Sequence, residues 1–208
     1  MTKVTELTDD GLLGRMMAGD EEAFALLYRR RQPAIYRFAL HVSSSAAVAE
    51  DVTQEVFMAL IRDAKRFDPA RGTLSAFLFG IARNHLRKRW EQERRFAPLA
   101  EDADERGDIA PGGPGASGAA MGRRAGTDEL SRLETISQVR RAIGTLPENY
   151  REVVVLCDLA ELSYEEAASA LGAPIGTVRS RLHRARAMLL EKLRGTHSPG
   201  RRASMANR

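Results

Sequence analysis

A single cysteine, Cys157, among 208 residues excludes an internal disulfide and any thiolate metal cluster. The four histidines, His41, His85, His183 and His197, are too scattered for a zinc motif, so no metal site is expected. No apolar run approaches the roughly 18 residues that a bilayer span requires. Residues 1–10 are polar and partly acidic where a signal peptide needs an apolar stretch. These absences predict a protein of the reducing cytoplasm with no membrane insertion. Neither a nucleophile with its base, nor paired carboxylates, nor a metal cluster assembles from the sequence, so no catalytic residue and no cofactor is expected.

What is present is a chain 43% hydrophobic and 29% charged, enough to bury a core. At about 150 residues per domain its length implies one or two domains. Lys and Arg number 32 against 28 Asp and Glu, a formal +4, which tilts the chain toward polyanionic partners and leaves the distribution of charge to decide. Residues 97–130 contain no Phe, Trp or Tyr and hold seven of the 17 glycines. A segment so poor in large side chains cannot offset the entropy of ordering its backbone, and it reads as a flexible linker. It is acidic, with seven carboxylates against Arg106, Arg123 and Arg124. Its GGPGASG run is no phosphate-binding loop, because no apolar strand precedes it and no Gly-Lys-Ser/Thr follows. The expected organisation is an N-terminal domain over 1–96, the linker over 97–130, a C-terminal domain over 131–195 and a basic tail over 196–208.

Both flanking parts read as all-α, since apolar residues recur at spacings of three and four and no strict alternation is bounded by turn residues. Asp20 is placed to cap a helix carrying Phe24, Leu27 and Tyr28, and Pro33 is expected to kink or end it before a second piece with Ile35, Tyr36 and Phe38. A third helix is predicted over 46–63, then a turn RFDPARGT, then a fourth helix over 75–93. Past the linker, residues 131–143 have helical composition, and Pro147 suits the first turn of a helix holding Val153, Val154 and Leu156. The run 153–157 could alternatively be a buried strand, but Asp158, Leu159 and Ala160 carry it past strand length and favour helix. Cys157 then reads as a small core residue.

The sharpest signal lies nearer the C-terminus. Ser163-Tyr164-Glu165-Glu166 fits a capping box, Gly172 fits a C-cap, and Pro174 precedes a new helix from about 175 to 193. Helix, short turn, helix is the helix-turn-helix pattern. At about 100° per residue Val178, Leu182, Ala185, Leu189 and Leu193 form one apolar stripe, leaving Arg179, Ser180, His183 and Arg184 as a polar arc on the N-terminal half, where recognition helices meet the major groove. A guanidinium there can donate two parallel hydrogen bonds to a guanine edge. From residue 175 to 208 nine cations face a single acid, Glu191. That end attracts phosphate.

On the predicted fourth helix Leu74, Phe77, Leu78, Ile81 and His85 share one face, with His85 read as a core histidine, while Phe79, Arg83, Arg87 and Trp90 share the other. Aromatics beside cations suit unstacked bases and single strands rather than duplex. Burial of Phe79 and Trp90 against the first helices competes with that reading, for Trp90 about equally. On the third helix Asp51, Gln54, Glu55 and Met58 form an arc away from Val48, Val52, Val56 and Leu60. Carboxylates repel phosphate, so its ligand would be a protein, and its default reading is a solvated face.

With AEDVTQEVFMAL at 49–60, FLFGIARNHLRKR at 77–89, LPENYREVVVL at 146–156 and GTVRSRLHRAR at 176–186, the chain resembles the extracytoplasmic-function (ECF) sigma factors of the sigma-70 family. The resemblance implies a promoter-specificity subunit that binds the clamp and flap of bacterial RNA polymerase core and has no catalytic activity of its own. It implies that Asp51, Gln54, Glu55 and Met58 dock on the clamp, overturning the solvated-face default. It implies that the 67–73 turn and the next helix's start, including Phe67 and Ser75, capture bases of the melted minus-ten element, with Phe79, Arg83, Asn84 and Arg87 supporting strand opening. It also implies that Thr177, Arg179, Ser180, His183 and Arg184 read the minus-thirty-five duplex. His183 stands where the family often has an aromatic, and Phe77 and Phe79 where it often has Trp and Tyr. An anti-sigma protein is a common partner in the family, and the sequence leaves its existence open. The family's linker passes near the RNA exit path, where the acids at 101–108 would mimic nucleic acid. The reach suffices: 34 extended residues span roughly 110 Å, against about 34–36 Å per DNA turn. A stand-alone helix-turn-helix repressor is the competing class, and would usually bind as a symmetric dimer.

Overall fold

The computed structural model describes residues 7–96 and 127–196, and within them every regular element is helical. The N-terminal domain comprises α1 (Asp9–Met17), α2 (Glu21–Ser43), α3 (Ala46–Asp63) and α4 (Leu74–Phe96). The C-terminal domain comprises α5 (Thr127–Gly144), α6 (Glu148–Val154), which runs on into a π-helical turn at Val155–Leu159, then α7 (Tyr164–Leu171) and α8 (Ile175–Thr196). Residues 97–126, with the acidic run and the glycine-rich stretch, and the basic tail from 197 lie outside the described residues.

The helix boundaries follow from local chemistry. Asp20 accepts from the Ala23 N–H and Ser45 from the Val48 N–H, each satisfying one orphan donor at a helix start. Between α2 and α3, Ser44 takes a left-handed φ of 58° and closes α2 by donating to the Leu40 carbonyl. The expected capping box is formed: Glu166 donates its N–H to Ser163 Oγ (3.1 Å), and the Ser163 N–H returns to Glu166 Oε2 (2.9 Å). Gly172, at φ 57°, ends α7 as its left-handed cap.

One expectation about the N-terminal domain is corrected, the helix end at Pro33. Pro33 neither ends nor divides its helix; α2 is continuous through it. A mid-helix proline costs about 3 kcal/mol, but Leu27, Ile35, Phe38 and Val42 lie on both sides of it in one core, each stabilising by about 1.5–3 kcal/mol. Pro33 itself is exposed, so the carbonyl it leaves unbonded is on the solvent side. A further helix, α1, was not anticipated in the polar N-terminal stretch. Thr8 caps it, Leu12 and Leu13 bury it, and Asp9 holds Arg30 (2.9 Å) and Arg31 of α2.

In the C-terminal domain α5 starts at Thr127, four residues before the expected boundary. The run 153–157 is helical, not strand. Cys157 is half-buried rather than fully in the core, and burial with the neighbouring Asp158 carboxylate pushes its thiol up to about 11. Such a shift disfavours the thiolate, the reactive form of the side chain.

The two domains share one apolar core. Phe38, Leu60, Leu78 and Leu86 on the N-terminal side are continuous with Leu146, Leu156 and Leu182 on the other. Helix α4 is the seam, lying against α2 and α3 on one side and α7 on the other.

Candidate nucleic-acid and polymerase interfaces

Helix α8 separates its faces as the sequence pattern requires. Val178, Leu182 and Ala185 are buried, while Arg179, Ser180, His183 and Arg184 are exposed on the opposite arc and Thr177 is half-buried beside them. The capping box of α7 and the left-handed Gly172 set the turn that aims this helix. Arg179 lies over the Tyr164 ring at 5.7 Å from its centroid, which restricts the guanidinium before any ligand arrives. Arg186 is committed elsewhere, making a two-point pair with Asp158 (3.1 and 2.6 Å). Arg184 pairs with no acid among the described residues, so its donors are available.

On α3, Asp51, Gln54, Glu55 and Met58 are all exposed, with Met58 54% accessible, while Val52, Val56 and Leu60 are buried. The exposed arc borders an apolar groove of ≈ 850 Å³ between α2 and α3, lined by Phe24, Tyr28, Tyr36, Phe57 and Ile61 among others. Tyr28 packs against Phe57 with ring centroids 4.6 Å apart, forming its floor. Asp51 meets Arg89 of α4 at 3.0 Å, but both are exposed and such a pair contributes little to stability. The groove's charged lining is Glu50 and Arg29, with Asp51 and Glu55 on the adjoining arc of α3, so it fits a protein surface that is chiefly apolar.

The third set is not assembled as expected. Phe67 is half-buried and packs on Phe77 at 5.6 Å, and Ser75 is half-buried with Arg31 within 3.4 Å of its hydroxyl. Asn84 and Arg87 are exposed. Phe79, expected on an exposed aromatic-cationic face, is 2% exposed and stands edge-on to Phe38 at 5.3 Å; it is a core residue. The reason is that α4 has no free apolar face: α2 and α3 take one side and α7 the other. Trp90 is half-buried in a cleft of ≈ 470 Å³ with Arg83, Arg87, Arg94 and Arg181. His85 is half-buried rather than in the core.

Two residues that the sequence reading passed over make the deepest polar contacts. Glu152 is fully buried and accepts from Arg83 Nε at 3.0 Å, while its Oε1 has no partner among the described residues. Burial pushes its carboxyl above the ordinary carboxylate range, and the Arg83 guanidinium opposes that shift. Arg151 donates to the carbonyls of Val42 (2.7 Å), Gly144 and Leu146 (2.9 Å), so one side chain satisfies carbonyls at the ends of both α2 and α5. A readable signal for Glu152 existed: a carboxylate four residues before Leu156 lies on the apolar face of its own helix.

A two-domain all-helical chain with a helix-turn-helix at one end and an exposed apolar groove at the other has the architecture of a promoter-recognition subunit. Residues 27–96 match the family model for sigma-70 region 2, and residues 136–189 match sigma-70, region 4. The ECF RNA polymerase sigma-E factor of Escherichia coli is 35% identical over 193 residues, covering 90% of this chain and 95% of that protein. The ECF RNA polymerase sigma factor SigE of Mycolicibacterium smegmatis is 34% identical over 171 residues, covering 80% of this chain but only 60% of that protein's length. Among solved structures, CnrH in complex with the cytosolic domain of CnrY superimposes with a TM-score of 0.63 at 28% identity, covering 91% of this chain and 99% of that one. The sigma factor RpoE of Bartonella quintana, in complex with the anti-sigma factor NepR, gives 0.61 at 27% identity, covering 82% and 96%. The chain belongs to the ECF sigma factors of RNA polymerase. It confers promoter recognition and initiation on the polymerase, through regions 2 and 4 that bind polymerase and promoter DNA. No helix among the described residues is long and apolar enough to cross a membrane.

Proposed function

We propose that the two domains divide promoter recognition between duplex and melted strand, in the cytoplasm and without catalysis by this chain. Region 4 reads the upstream element through Arg179, Ser180, His183 and Arg184, with Thr177 at the edge of the contact. Region 2 holds the opened downstream element through Phe67 and Ser75 in and after the 67–73 turn and through Arg83, Asn84 and Arg87 on α4; Phe79 contributes by packing alone. The arc Asp51, Gln54, Glu55, Met58 and the adjoining α2–α3 groove dock on the polymerase clamp, and region 4 on the flap. An anti-sigma protein is a further partner of the chain, in keeping with the complex that the Bartonella RpoE forms with the anti-sigma factor NepR.

The observation that supports this reading most is the exposed polar arc on the first half of α8, backed by the buried Val178–Leu182–Ala185 stripe. The docking face is tested separately. Asp51→Ala combined with Gln54→Ala is expected to weaken binding of the full chain to polymerase core by about 5- to 30-fold, as a loss of about 1–2 kcal/mol from an interface contact implies. Both residues are exposed, so the thermal midpoint should hardly move. Unchanged core affinity in a titration of labelled chain would remove the assignment.

A further inference from the structure

Tyr164 is a large aromatic side chain left 37% exposed at the first position of α7, directly after the Ser163 cap. Its ring is not what seats that helix, because the buried face of α7 is made by Ala167, Ala170 and Leu171. Its backbone is nevertheless well placed, since the capping box from Ser163 to Glu166 closes around it. The partner of the ring lies on α8: the Arg179 guanidinium stands over its face, 5.7 Å from the centroid. Arg186 is close to the same ring, its guanidinium held above its ordinary value chiefly by Asp158 and to a smaller extent by Tyr164.

At about 100° per residue Arg179, His183 and Arg186 fall on one flank of α8, and Ser180 and Arg184 on the other. The two flanks differ in what holds them. Arg186 is tied to Asp158 through two hydrogen bonds (3.1 and 2.6 Å), which take two of its donors. Arg179 is held by a ring, which offers no acceptor oxygen, and it pairs with no acid among the described residues, so its N–H groups stay free for a ligand. Arg184 has neither a ring nor an acid partner among the described residues. Resting on the assignment of Arg179 to the upstream duplex, we propose that Tyr164 is a specificity-positioning residue: its ring braces the Arg179 guanidinium against α7, so that this flank of the arc meets the base edges already oriented, while Arg184 is ordered only on contact. An unbraced arginine can settle on a phosphate as readily as on a base, whereas one confined before binding loses less freedom on reaching its base and is kept from the alternatives. The ring therefore adds to discrimination between sequences more than to grip.

The test is a competition among upstream-element duplexes, each base pair varied in turn, for holoenzyme assembled from the full chain and polymerase core. Tyr164→Leu removes the ring and Tyr164→Phe keeps it; both residues of the contact are exposed, so thermal midpoints should stay close to wild type. Tyr164→Leu is expected to lower the preference for the favoured base by about 2- to 5-fold, the worth of an exposed cation–ring contact, at the same base pair that Arg179→Ala affects. The pair read by Arg184 should keep its preference, and Tyr164→Phe should behave as wild type. In an Arg179→Ala chain, adding Tyr164→Leu should cost nothing further, because the ring acts through the guanidinium. Full preference in Tyr164→Leu, or a loss spread evenly over all sequences, would overturn the bracing and spare the reading by Arg179. Equal losses in Tyr164→Phe and Tyr164→Leu, or losses that add in the double variant, would overturn it too, since Tyr164 would then touch DNA in its own right. Unaltered base preference in Arg179→Ala would instead remove the reading by Arg179, and the bracing with it.

Discussion

Leu182→Ala is expected to lower the unfolding free energy by about 2–5 kcal/mol, the range for truncating a buried leucine that leaves a cavity. Leu182 is 2% exposed and sits between Val178 and Ala185 on the stripe that seats α8. Helix α8 packs on α5, α6 and α7, so the cavity would open where all four helices of region 4 meet. Urea denaturation followed by circular dichroism measures the loss. The matched control is Ala187→Ser on the exposed side of the same helix, which should change stability by no more than about 0.5 kcal/mol. A loss below about 1 kcal/mol for Leu182→Ala would mean that α8 is not held by this stripe, and the orientation of its polar arc would fall with it.

Arg184→Ala should act on recognition and leave folding alone. The side chain is exposed and pairs with no acid among the described residues, so removing it strands no buried group. If it donates two hydrogen bonds to a base edge, its loss costs about 1–3 kcal/mol at that base pair, roughly a 5- to 150-fold drop, with relaxed preference among bases there. Competition among upstream-element variants for the assembled holoenzyme resolves the two possibilities. A position-specific relaxation supports base reading; an equal loss on every sequence, with a shallower salt dependence, would show that Arg184 grips phosphate only.

What the sequence made legible divides along the range of the interactions involved. Helices α3 and α8, the Asp20 cap, the Ser163–Glu166 capping box and the Gly172 cap depend on residues within about one or two turns of each other, and the spacing of side chains records such contacts directly. The exposed arcs on α3 and α8 follow from the same periodicity, since burying one stripe leaves the other outward. Pro33 misled because a local rule was set against a nonlocal one. Its cost is paid within four residues, whereas the burial that overrides it comes from α3 and α4. For Phe79 the sequence left burial and exposure both open, and for Glu152 it placed a carboxylate on an apolar face without naming its partner. The Arg83–Glu152 pair joins residues 69 apart, and the Arg151–Val42 contact joins residues 109 apart; no window of sequence contains either. Periodicity shows that α4 has two usable faces. Only packing shows that both are covered.

The claim on which the rest depends is that this chain selects start sites for a polymerase that cannot do so alone. Transcription in vitro with purified bacterial core polymerase, the full chain and a randomised promoter library, read by sequencing RNA 5′ ends, measures it directly. The account predicts discrete start sites that appear only when chain and core are both present, each downstream of a shared pair of short elements. Transcripts without positional preference, or a symmetric footprint made by the chain alone, would contradict it and favour a dimeric helix-turn-helix repressor instead.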